Sequence, residues 1–273
     1  MSARRHRTGP LLKVTLIVFA GTLGSCAAQE PTVASSRQAA MGVEVLRVLE
    51  HDPNAFTQGL EIDGTDLLES TGRSGESWVR ATDLATGTLR AHAELPSPLF
   101  GEGITAVGEQ VWQLTWRDGI AVVRDRVTLA EKRQVPLDGE GWGICALPHA
   151  LVTSDGSATL TFRDPETFDP RRTLAVEPDT APGTDTPLRL NELECADDGM
   201  IYANDWPTDT LVRINPADGT VTAEIDAGGL RASLPDGPRD IDVLNGIAQI
   251  PGTDRFLLTG KYWPRMFEVR FVR

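Results

Sequence analysis

The sequence predicts an all-β protein, a five-bladed β-propeller whose N-terminal strand completes the last blade and closes the ring. Short runs of alternating polar and apolar residues, bounded by Gly, Asp and Pro, are typical of β-strands. One phrase recurs five times from residue 57 onward, at intervals of 40 to 54 residues. Three or four strands in a repeat of that length are typical of a propeller blade.

Each repeat opens with a polar or aromatic residue, usually followed by glycine, and then Leu or Ile. The five versions are Gln58-Gly59-Leu60, Glu102-Gly103-Ile104, Trp142-Gly143-Ile144, Asn191-Glu192-Leu193 and Asn245-Gly246-Ile247. The last repeat ends after its third strand, whereas Val43–Val48 is a strand without a repeat. That strand is therefore predicted to complete the fifth blade and protect its edge. An all-β sandwich is the alternative fold, but it gives no reason for five copies of one phrase.

Composition narrows the range of functions. The 273 residues include 26 Lys plus Arg against 39 Asp plus Glu, a formal net charge of −13. Because nucleic-acid binding requires a basic face, this acidity argues against a nucleic-acid partner. Three Cys are too few for a disulfide-built scaffold.

The N-terminus has the pattern of an export signal. Basic residues precede the apolar run Leu16–Ala20, and small residues then lead to Cys26. Leu23-Gly24-Ser25-Cys26 resembles a bacterial lipobox, in which the Cys becomes the lipidated first residue. We predict a signal peptide over 1–25, a flexible tether over 26–41 and a propeller domain over 42–273. The expected protein is an exported bacterial monomer, either a cell-envelope lipoprotein or periplasmic or extracellular, with no membrane contact except that lipid.

The repeats differ most at the residue two positions before the aligned Leu or Ile. These residues are Gln58, Glu102, Trp142, Asn191 and Asn245. Because the first strand of each blade lines the axis of a propeller, the five side chains are expected at one mouth of the channel. The second strands also end differently, in Thr115-Trp116, Ser154-Asp155, Asn204-Asp205-Trp206 and Gly260-Lys261. Polar groups converging among aromatic walls predict a small-ligand or enzyme site.

Other kinds of catalytic centre are not supported. The four His have neither metal-ligand spacing nor an acidic partner, which argues against a zinc site or a Ser/His/Asp triad. No glycine-rich phosphate loop is present in the sequence. We therefore expect no metal and no cofactor, and acid–base chemistry by one carboxylate.

Eight phrases, in order along residues 43–273, resemble the plant-type glutaminyl-peptide cyclotransferases, whose bacterial members are five-bladed propellers. The phrases are Phe56-Thr57-Gln58-Gly59-Leu60, Phe100-Gly101-Glu102-Gly103-Ile104-Thr105, Gln113-Leu114-Thr115-Trp116, Gly141-Trp142-Gly143, Ser154-Asp155-Gly156-Ser157, Leu190-Asn191-Glu192-Leu193-Glu194, Val243-Leu244-Asn245-Gly246-Ile247-Ala248 and Leu258-Thr259-Gly260-Lys261-Tyr262-Trp263-Pro264.

The resemblance implies a zinc-independent enzyme that converts the N-terminal Gln of peptides or proteins into pyroglutamate with release of ammonia. By motif, Glu102 corresponds to the catalytic carboxylate, and its polar neighbours correspond to Gln58, Asn191 and Lys261. The aromatic wall corresponds to Phe56, Phe100, Trp116, Trp142 and Trp206. This chain departs from the pattern at Arg117, where Lys is common, and at Asp205, which replaces an apolar residue and is expected to add negative charge near the rim.

The chemistry suggests that Glu102 moves a proton from the attacking amine to the leaving nitrogen, with Lys261, Gln58 and Asn191 as donors to the amide oxygen. A non-catalytic propeller that binds a peptide or glycan is the alternative. A calcium-dependent propeller hydrolase is disfavoured, because one carboxylate and one Lys make a poor cation cage.

Two cysteines remain once Cys26 is assigned to lipid. Cys145 and Cys195 lie on the first strands of neighbouring repeats, at offsets of opposite parity. In an oxidising compartment they form either a disulfide across the interface or two separate buried thiols.

Overall fold

The computed structural model describes residues 39–177, 187–235 and 240–273. The predicted signal peptide, Cys26 and the tether as far as residue 38 lie outside the described residues. The described chain forms twenty strands, numbered β1 to β20 in chain order, and one short helix, α1 (Gly228–Ala232). None of its helices has the length and apolar character needed to cross a membrane.

The first three repeats each form a four-stranded antiparallel sheet in which strands pair in chain order. The first sheet contains β2 (Thr57–Asp63), β3 (Asp66–Thr71), β4 (Trp78–Asp83) and β5 (Leu89–Glu94). The second contains β6 (Gly101–Val107), β7 (Gln110–Thr115), β8 (Ile120–Asp125) and β9 (Glu131–Pro136). The third contains β10 (Ile144–Leu147), β11 (Ala150–Ser154), β12 (Thr159–Arg163) and β13 (Pro170–Ala175).

The fourth and fifth repeats share one eight-stranded sheet with the N-terminal strand. In pairing order its strands are β14 (Leu190–Cys195), β15 (Ile201–Asp205), β16 (Thr210–Ile214), β17 (Val221–Asp226), β1 (Ala39–Glu50), β20 (Arg265–Val272), β19 (Arg255–Gly260) and β18 (Leu244–Gln249). Its end strands, β14 and β18, contact each other, so this sheet is nearly closed. The all-β class is correct, but the predicted five-bladed propeller is wrong, because the hydrogen bonds define three four-stranded sheets and one of eight strands.

The reason lies in the length of β1. The strand extends beyond the predicted Val43–Val48 at both ends. Its residues Gly42–Glu50 pair antiparallel with β20, as expected for a strand that joins the last repeat. Its first residues, Ala39–Gly42, pair parallel with β17 and so fuse the fourth repeat to the fifth. Ala39–Met41, expected at the end of the tether, therefore belong to the sheet.

The first strands of the five repeats lie next to one another. Each of β2, β6, β10 and β14 contacts the next, and β18 contacts β2. These inner strands approach closely: a Cβ on Gly59 would lie 2.6 Å from the backbone nitrogen of Ile104, and one on Gly103 would lie 2.8 Å from that of Ile144. Steric exclusion of a side chain thus explains the recurring glycine.

The fourth repeat has Glu192 where the others have glycine. Its carboxylate is buried and accepts hydrogen bonds from the backbone N–H groups of Leu60, at 3.2 Å, and Ile247, at 2.7 Å. Burial raises the pKa of Glu192 well above the usual range for glutamate, and Glu194 adds to the shift. The side chain links β14 to two other inner strands.

Apolar side chains pack mainly between successive repeats. Between the second and third, for example, Trp112 stacks on Phe168 with ring centroids 4.8 Å apart. The third and fourth repeats share a disulfide between Cys145 and Cys195, whose Cα atoms are 5.4 Å apart. Of the two alternatives for these cysteines, the structure has the bonded one.

A buried ion pair joins the segment after β1 to the first and last repeats. His51 Nε2 lies 2.9 Å from Glu69 Oε1, and His51 Nδ1 lies 2.7 Å from the carbonyl oxygen of Trp263. Because both ring nitrogens face acceptors, this arrangement favours the protonated imidazole. Glu69 also accepts hydrogen bonds from Arg80 and Thr57, each at 2.7 Å.

We expect Glu69→Gln to lower the free energy of unfolding by about 3 kcal/mol near pH 5.5, because it leaves a buried cation unpaired. Burial opposes ionisation of Glu69, but His51 and Arg80 hold its pKa at about 2. Its contribution is therefore complete above pH 4.5 and is lost as the pH falls toward 2. Burial disfavours the charged imidazole, but the effect of Glu69 is larger and raises the pKa of His51. The contribution of His51 to stability is therefore complete below pH 6.5 and is lost as the pH rises through the raised pKa.

Urea unfolding at pH values of about 3, 5.5 and 8 tests this prediction. The pair should contribute more to the free energy of unfolding of the wild-type protein at the middle pH than at either extreme. Glu69→Gln should reduce the variation of the free energy of unfolding with pH. Identical pH dependences for the two proteins would contradict it.

Candidate active site

One pocket, about 540 Å³ in volume, lies where the inner strands β2, β6 and β14 begin. It brings together all of the side chains predicted from the sequence as catalytic or substrate-binding: Phe56, Gln58, Phe100, Glu102, Trp116, Trp142, Asn191, Trp206 and Lys261. Five further residues line the pocket that were not predicted to be catalytic or substrate-binding: Arg117, Glu140, Asp155, Gly156 and Arg189.

Irregular strand pairing places the polar side chains. The register between strands shifts at Gln58, at Glu102, at Asn191 and at Asn245, the residues that differ among the repeats. A β-bulge leaves a residue out of the ladder and changes the direction of its side chain, and bulges are common beside active sites. The same local irregularity therefore occurs at four different residues, and three of them, Gln58, Glu102 and Asn191, line the pocket.

A chain of amide hydrogen bonds fixes the orientation of Gln58. Asn245 Nδ2 donates to the carbonyl oxygen of Thr57 at 3.0 Å and to Gln58 Oε1 at 3.4 Å. Gln58 Nε2 then donates to Glu102 Oε1 at 3.0 Å. All of these side chains are at least nine-tenths buried. Because one oxygen of Glu102 already accepts a hydrogen bond, a proton on this carboxylate is expected on the other oxygen, Oε2.

Burial dominates the acid–base properties of the pocket. It raises the pKa of Glu102 well above the usual glutamate range; the positive charge of Lys261 opposes this shift, whereas Glu140 adds to it. Burial also lowers the pKa of Lys261, although Glu102 opposes that change. Lys261 Nζ lies 4.8 Å from the centroid of the Phe56 ring. The pocket therefore holds a carboxyl group able to exchange a proton closer to neutral pH than an exposed glutamate.

Asn191 presents a free acceptor. Its backbone carbonyl oxygen accepts a hydrogen bond from Ser154 Oγ at 2.5 Å. Its side-chain Oδ1 is buried and has no hydrogen-bond partner within the described part of the chain. Since an unpaired buried oxygen costs free energy, a ligand N–H group would be stabilised there.

Aromatic side chains form two groups around the polar residues. In the first, Phe56 packs against Tyr262 and Phe100, and Phe100 packs against Trp116, with centroid distances between 5.1 and 6.2 Å. In the second, the rings of Trp142 and Trp206 meet edge to face at 5.7 Å. These rings supply apolar walls that exclude water from the polar groups.

Glu140 links the two aromatic groups. Its Oε2 accepts hydrogen bonds from the indole N–H of Trp116 at 2.8 Å and of Trp142 at 3.0 Å, and its Oε1 accepts one from Arg117 Nε at 2.7 Å. Burial opposes ionisation, but these three donors lower the pKa of Glu140. The sequence offers one signal for this role of Glu140, its position two residues before Trp142 in Gly139-Glu140-Gly141-Trp142.

We expect Glu140→Gln to lower kcat/KM about tenfold, mainly through KM, for the glutamine-initiated peptide that the sequence resemblance implies as substrate, because an amide accepts less strongly from two indoles than a carboxylate. Loss of its negative charge should also lower the pKa of Glu102. Steady-state kinetics measures kcat and KM, and near-UV circular dichroism reports whether the indole rings keep their orientation. Arg117→Gln, which keeps the indole bonds, is the matched control, and an unchanged KM in Glu140→Gln would contradict the positioning role.

The described residues contain another cavity, of about 690 Å³, beside Tyr202, Phe256 and Phe271. Its principal polar groups bind one another: Arg213 donates to Asp198 at 2.8 Å and to Tyr202 Oη at 3.0 Å. None of the predicted site residues lines it. Across the described chain, no cluster of three or more His, Cys, Asp or Glu is arranged to hold a metal ion.

Comparisons with known proteins agree with the composition of the pocket. Residues 17–271 match the family model described as glutamine cyclotransferase. The chain is 37% identical to the glutaminyl-peptide cyclotransferase of Arabidopsis thaliana over 231 residues, which is 84% of this chain and 71% of the relative. It also resembles the crystal structure of Myxococcus xanthus glutaminyl cyclase, with a TM-score of 0.76, 36% identity, and coverage of 86% of this chain and 99% of that one. The chain therefore belongs to the glutamine cyclotransferase family.

Proposed function

We propose that this pocket binds the N-terminal glutamine of a peptide or protein and that Glu102 carries the proton during its cyclisation. The family model is described as glutamine cyclotransferase and the Arabidopsis thaliana relative is a glutaminyl-peptide cyclotransferase. Cyclisation of an N-terminal glutamine yields pyroglutamate and ammonia. The observation that carries the assignment is Glu102, a carboxylate 4% exposed that shares the pocket with Lys261, buried amides and aromatic walls.

The reaction requires the transfer of one proton from the attacking amine to the departing nitrogen. The α-amino nitrogen of the substrate attacks the side-chain amide carbon; a C–N bond forms and closes the ring, and the bond to the amide nitrogen breaks. The amine loses a proton that the departing nitrogen gains, so that ammonia leaves and no other reactant is consumed. Glu102 in its ionised form accepts the first proton, and in its neutral form it donates that proton to the leaving group.

The amide oxygen gains negative charge when its carbon becomes tetrahedral. Lys261 and the second N–H of the Gln58 amide are donors to this oxygen, and Asn191 Nδ2 is a third. Asn191 Oδ1, the buried acceptor without a partner, suits an N–H of the substrate amine. These groups stabilise the charge among aromatic walls and buried side chains, where electrostatic interactions are stronger than in water.

The aromatic walls favour the folded substrate. A free glutamine side chain samples many rotamers, and ring closure requires one in which the amine approaches the amide carbon. The face of Trp142 or Trp206 also attracts the cationic amine before it loses its proton. The walls therefore lower the entropic part of the barrier.

Incubation of the purified protein with a glutamine-initiated peptide tests the proposed function. Mass spectrometry should show loss of the mass of one ammonia molecule, and an enzymatic ammonia assay should match it in amount. Peptide binding without mass loss would instead support a non-catalytic, peptide-binding role. The similarity of this chain to enzymes argues against that alternative. We also propose that catalysis is metal-independent; reversible loss of activity with a strong chelator would contradict this.

We further propose that the protein is exported, anchored by a lipid on Cys26 and otherwise monomeric. The basic N-terminus, the apolar run and the lipobox-like Leu23-Gly24-Ser25-Cys26 support this. Cys26→Ser should move the protein from the membrane to the soluble fraction, and light scattering on that variant should give one chain. Continued partition of Cys26→Ser with membranes would contradict the anchor.

A further inference from the structure

Three exposed arginines lie beside the pocket, each over the face of an aromatic ring that lines it, and Arg117 and Arg189 line the pocket themselves. The guanidinium carbon of Arg73 lies 4.2 Å from the centroid of Phe56, that of Arg117 lies 4.0 Å from Trp116, and that of Arg189 lies 4.1 Å from Trp206. The aromatic faces hold these cations in place.

The three arginines differ in their acidic partners. Arg117 is paired with Glu140 at 2.7 Å. In the stretches that the structure describes, Arg73 and Arg189 have no carboxylate within 4.0 Å, although many other arginines of this acidic chain do. Arg73 instead donates a hydrogen bond from Nε to Tyr262 Oη at 3.1 Å. Its backbone is left-handed, with φ of 89°, a conformation that favours glycine, so this arginine is kept at a conformational cost.

The acidic side chains near the mouth are largely engaged elsewhere. Asp205, which was expected to add negative charge at the rim, accepts a hydrogen bond from the backbone N–H of Arg189 at 2.9 Å and does not line the pocket. The side chain of Arg189 lines it instead. Of the acidic residues that line the pocket, Asp155 is the exposed one, and one of its oxygens accepts hydrogen bonds from Ser157. Among the described residues, Arg73 and Arg189 thus have no carboxylate in direct contact, and one exposed acidic side chain lines the pocket beside them.

We propose that Arg73 and Arg189 select substrates that carry Asp or Glu shortly after the N-terminal glutamine. This inference rests on the proposed function, because the first residue must occupy the pocket for the following residues to pass the mouth. An extended chain advances roughly 3.3 to 3.6 Å per residue, so the second to fourth residues pass the rim. Arginine binds carboxylates with two parallel hydrogen bonds, and a guanidinium already held on a ring loses little freedom when it does so.

Three C-terminally amidated peptides that differ only at the second residue, Gln-Glu, Gln-Ala and Gln-Lys, test the proposal. The wild-type protein should show kcat/KM roughly three- to tenfold higher for Gln-Glu than for Gln-Ala at low ionic strength, and lowest for Gln-Lys. The preference should shrink as salt is added.

The ratio of the two kcat/KM values within each variant separates charge selection from a general loss of activity. The double variant Arg73→Gln/Arg189→Gln should bring the Gln-Glu to Gln-Ala ratio close to one, whereas Asp155→Asn should raise it. Arg171→Gln, an exposed arginine paired with Asp164 in the third sheet, is the matched control and should leave the ratio unchanged. Equal kcat/KM values for Gln-Glu and Gln-Ala in the wild-type protein would overturn the proposal. So would a Gln-Glu to Gln-Ala ratio in the double variant that is as large as in the wild-type protein. Failure of the wild-type protein to cyclise even Gln-Ala would count against the proposed function instead.

Discussion

Replacing Lys261 with methionine is expected to lower kcat about 10²- to 10³-fold, the usual effect of removing one donor to a developing oxyanion. Methionine keeps most of the length of the side chain but removes the ammonium group that lies over the Phe56 ring. Lys261 is 6% exposed, so water does not readily replace its ammonium group. Loss of the charge should also raise the pKa of Glu102 further, since Lys261 is the group that lowers it. The acidic limb of the pH–rate profile should therefore move to higher pH.

Lys132→Met serves as the control for this substitution. Lys132 is an exposed lysine on β9, paired with Asp125 at 2.9 Å. Steady-state kinetics with a glutamine-initiated peptide should show nearly unchanged turnover in Lys132→Met. A Lys261→Met protein that retained more than about a tenth of wild-type kcat would show that another group stabilises the oxyanion.

Replacing Glu102 with glutamine is expected to lower kcat about 10²- to 10⁴-fold while peptide binding persists. The amide is similar in shape and can still accept a hydrogen bond from Gln58, so the pocket should keep its geometry. It cannot exchange a proton, because an amide is neither an acid nor a base near neutral pH. Calorimetric titration should give a dissociation constant close to that of the wild-type protein.

The pH dependence separates proton transfer from a purely structural role of Glu102. The pKa of Glu102 is raised by burial, so the ionised form that accepts a proton is lost as the pH falls through a value well above 4.5. Wild-type kcat/KM should fall over that range, in addition to the titration of the substrate amine near about 7.7 to 8.0. In Glu102→Gln, only the substrate titration should remain, and an unchanged acidic limb would assign it to another group.

Strand pattern predicted most of the fold, and local strand pairing explains what it missed. The alternating runs identify the strands of each repeat. Val43–Val48 belongs to no repeat and was predicted to join the last one, and it does pair with the last strand. Ala39–Met41 show no alternation of polar and apolar side chains, so nothing in the sequence indicated the parallel pairing with β17. Those few hydrogen bonds join two repeats into one sheet and replace five blades with four sheets.

The candidate site was predictable where repeats differ at equivalent positions. Gln58, Glu102 and Asn191 were found because each interrupts a repeated phrase, and their strands bring them to one pocket. Glu140 and Arg189 lie in connections between strands, where no period fixes the direction of a side chain. Their roles depend on contacts with Trp116, Trp142 and Trp206, which only the folded chain reveals.

A single-turnover assay provides a direct test of proton transfer through Glu102. Excess Glu102→Gln protein is mixed with a glutamine-initiated peptide, and ammonia release is followed over time, so that peptide binding and product release do not limit the measured rate. The predicted result is a rate constant at least about 10²-fold below that of the wild-type protein, with the peptide fully bound. A rate constant within about tenfold of the wild-type value would contradict proton transfer by Glu102.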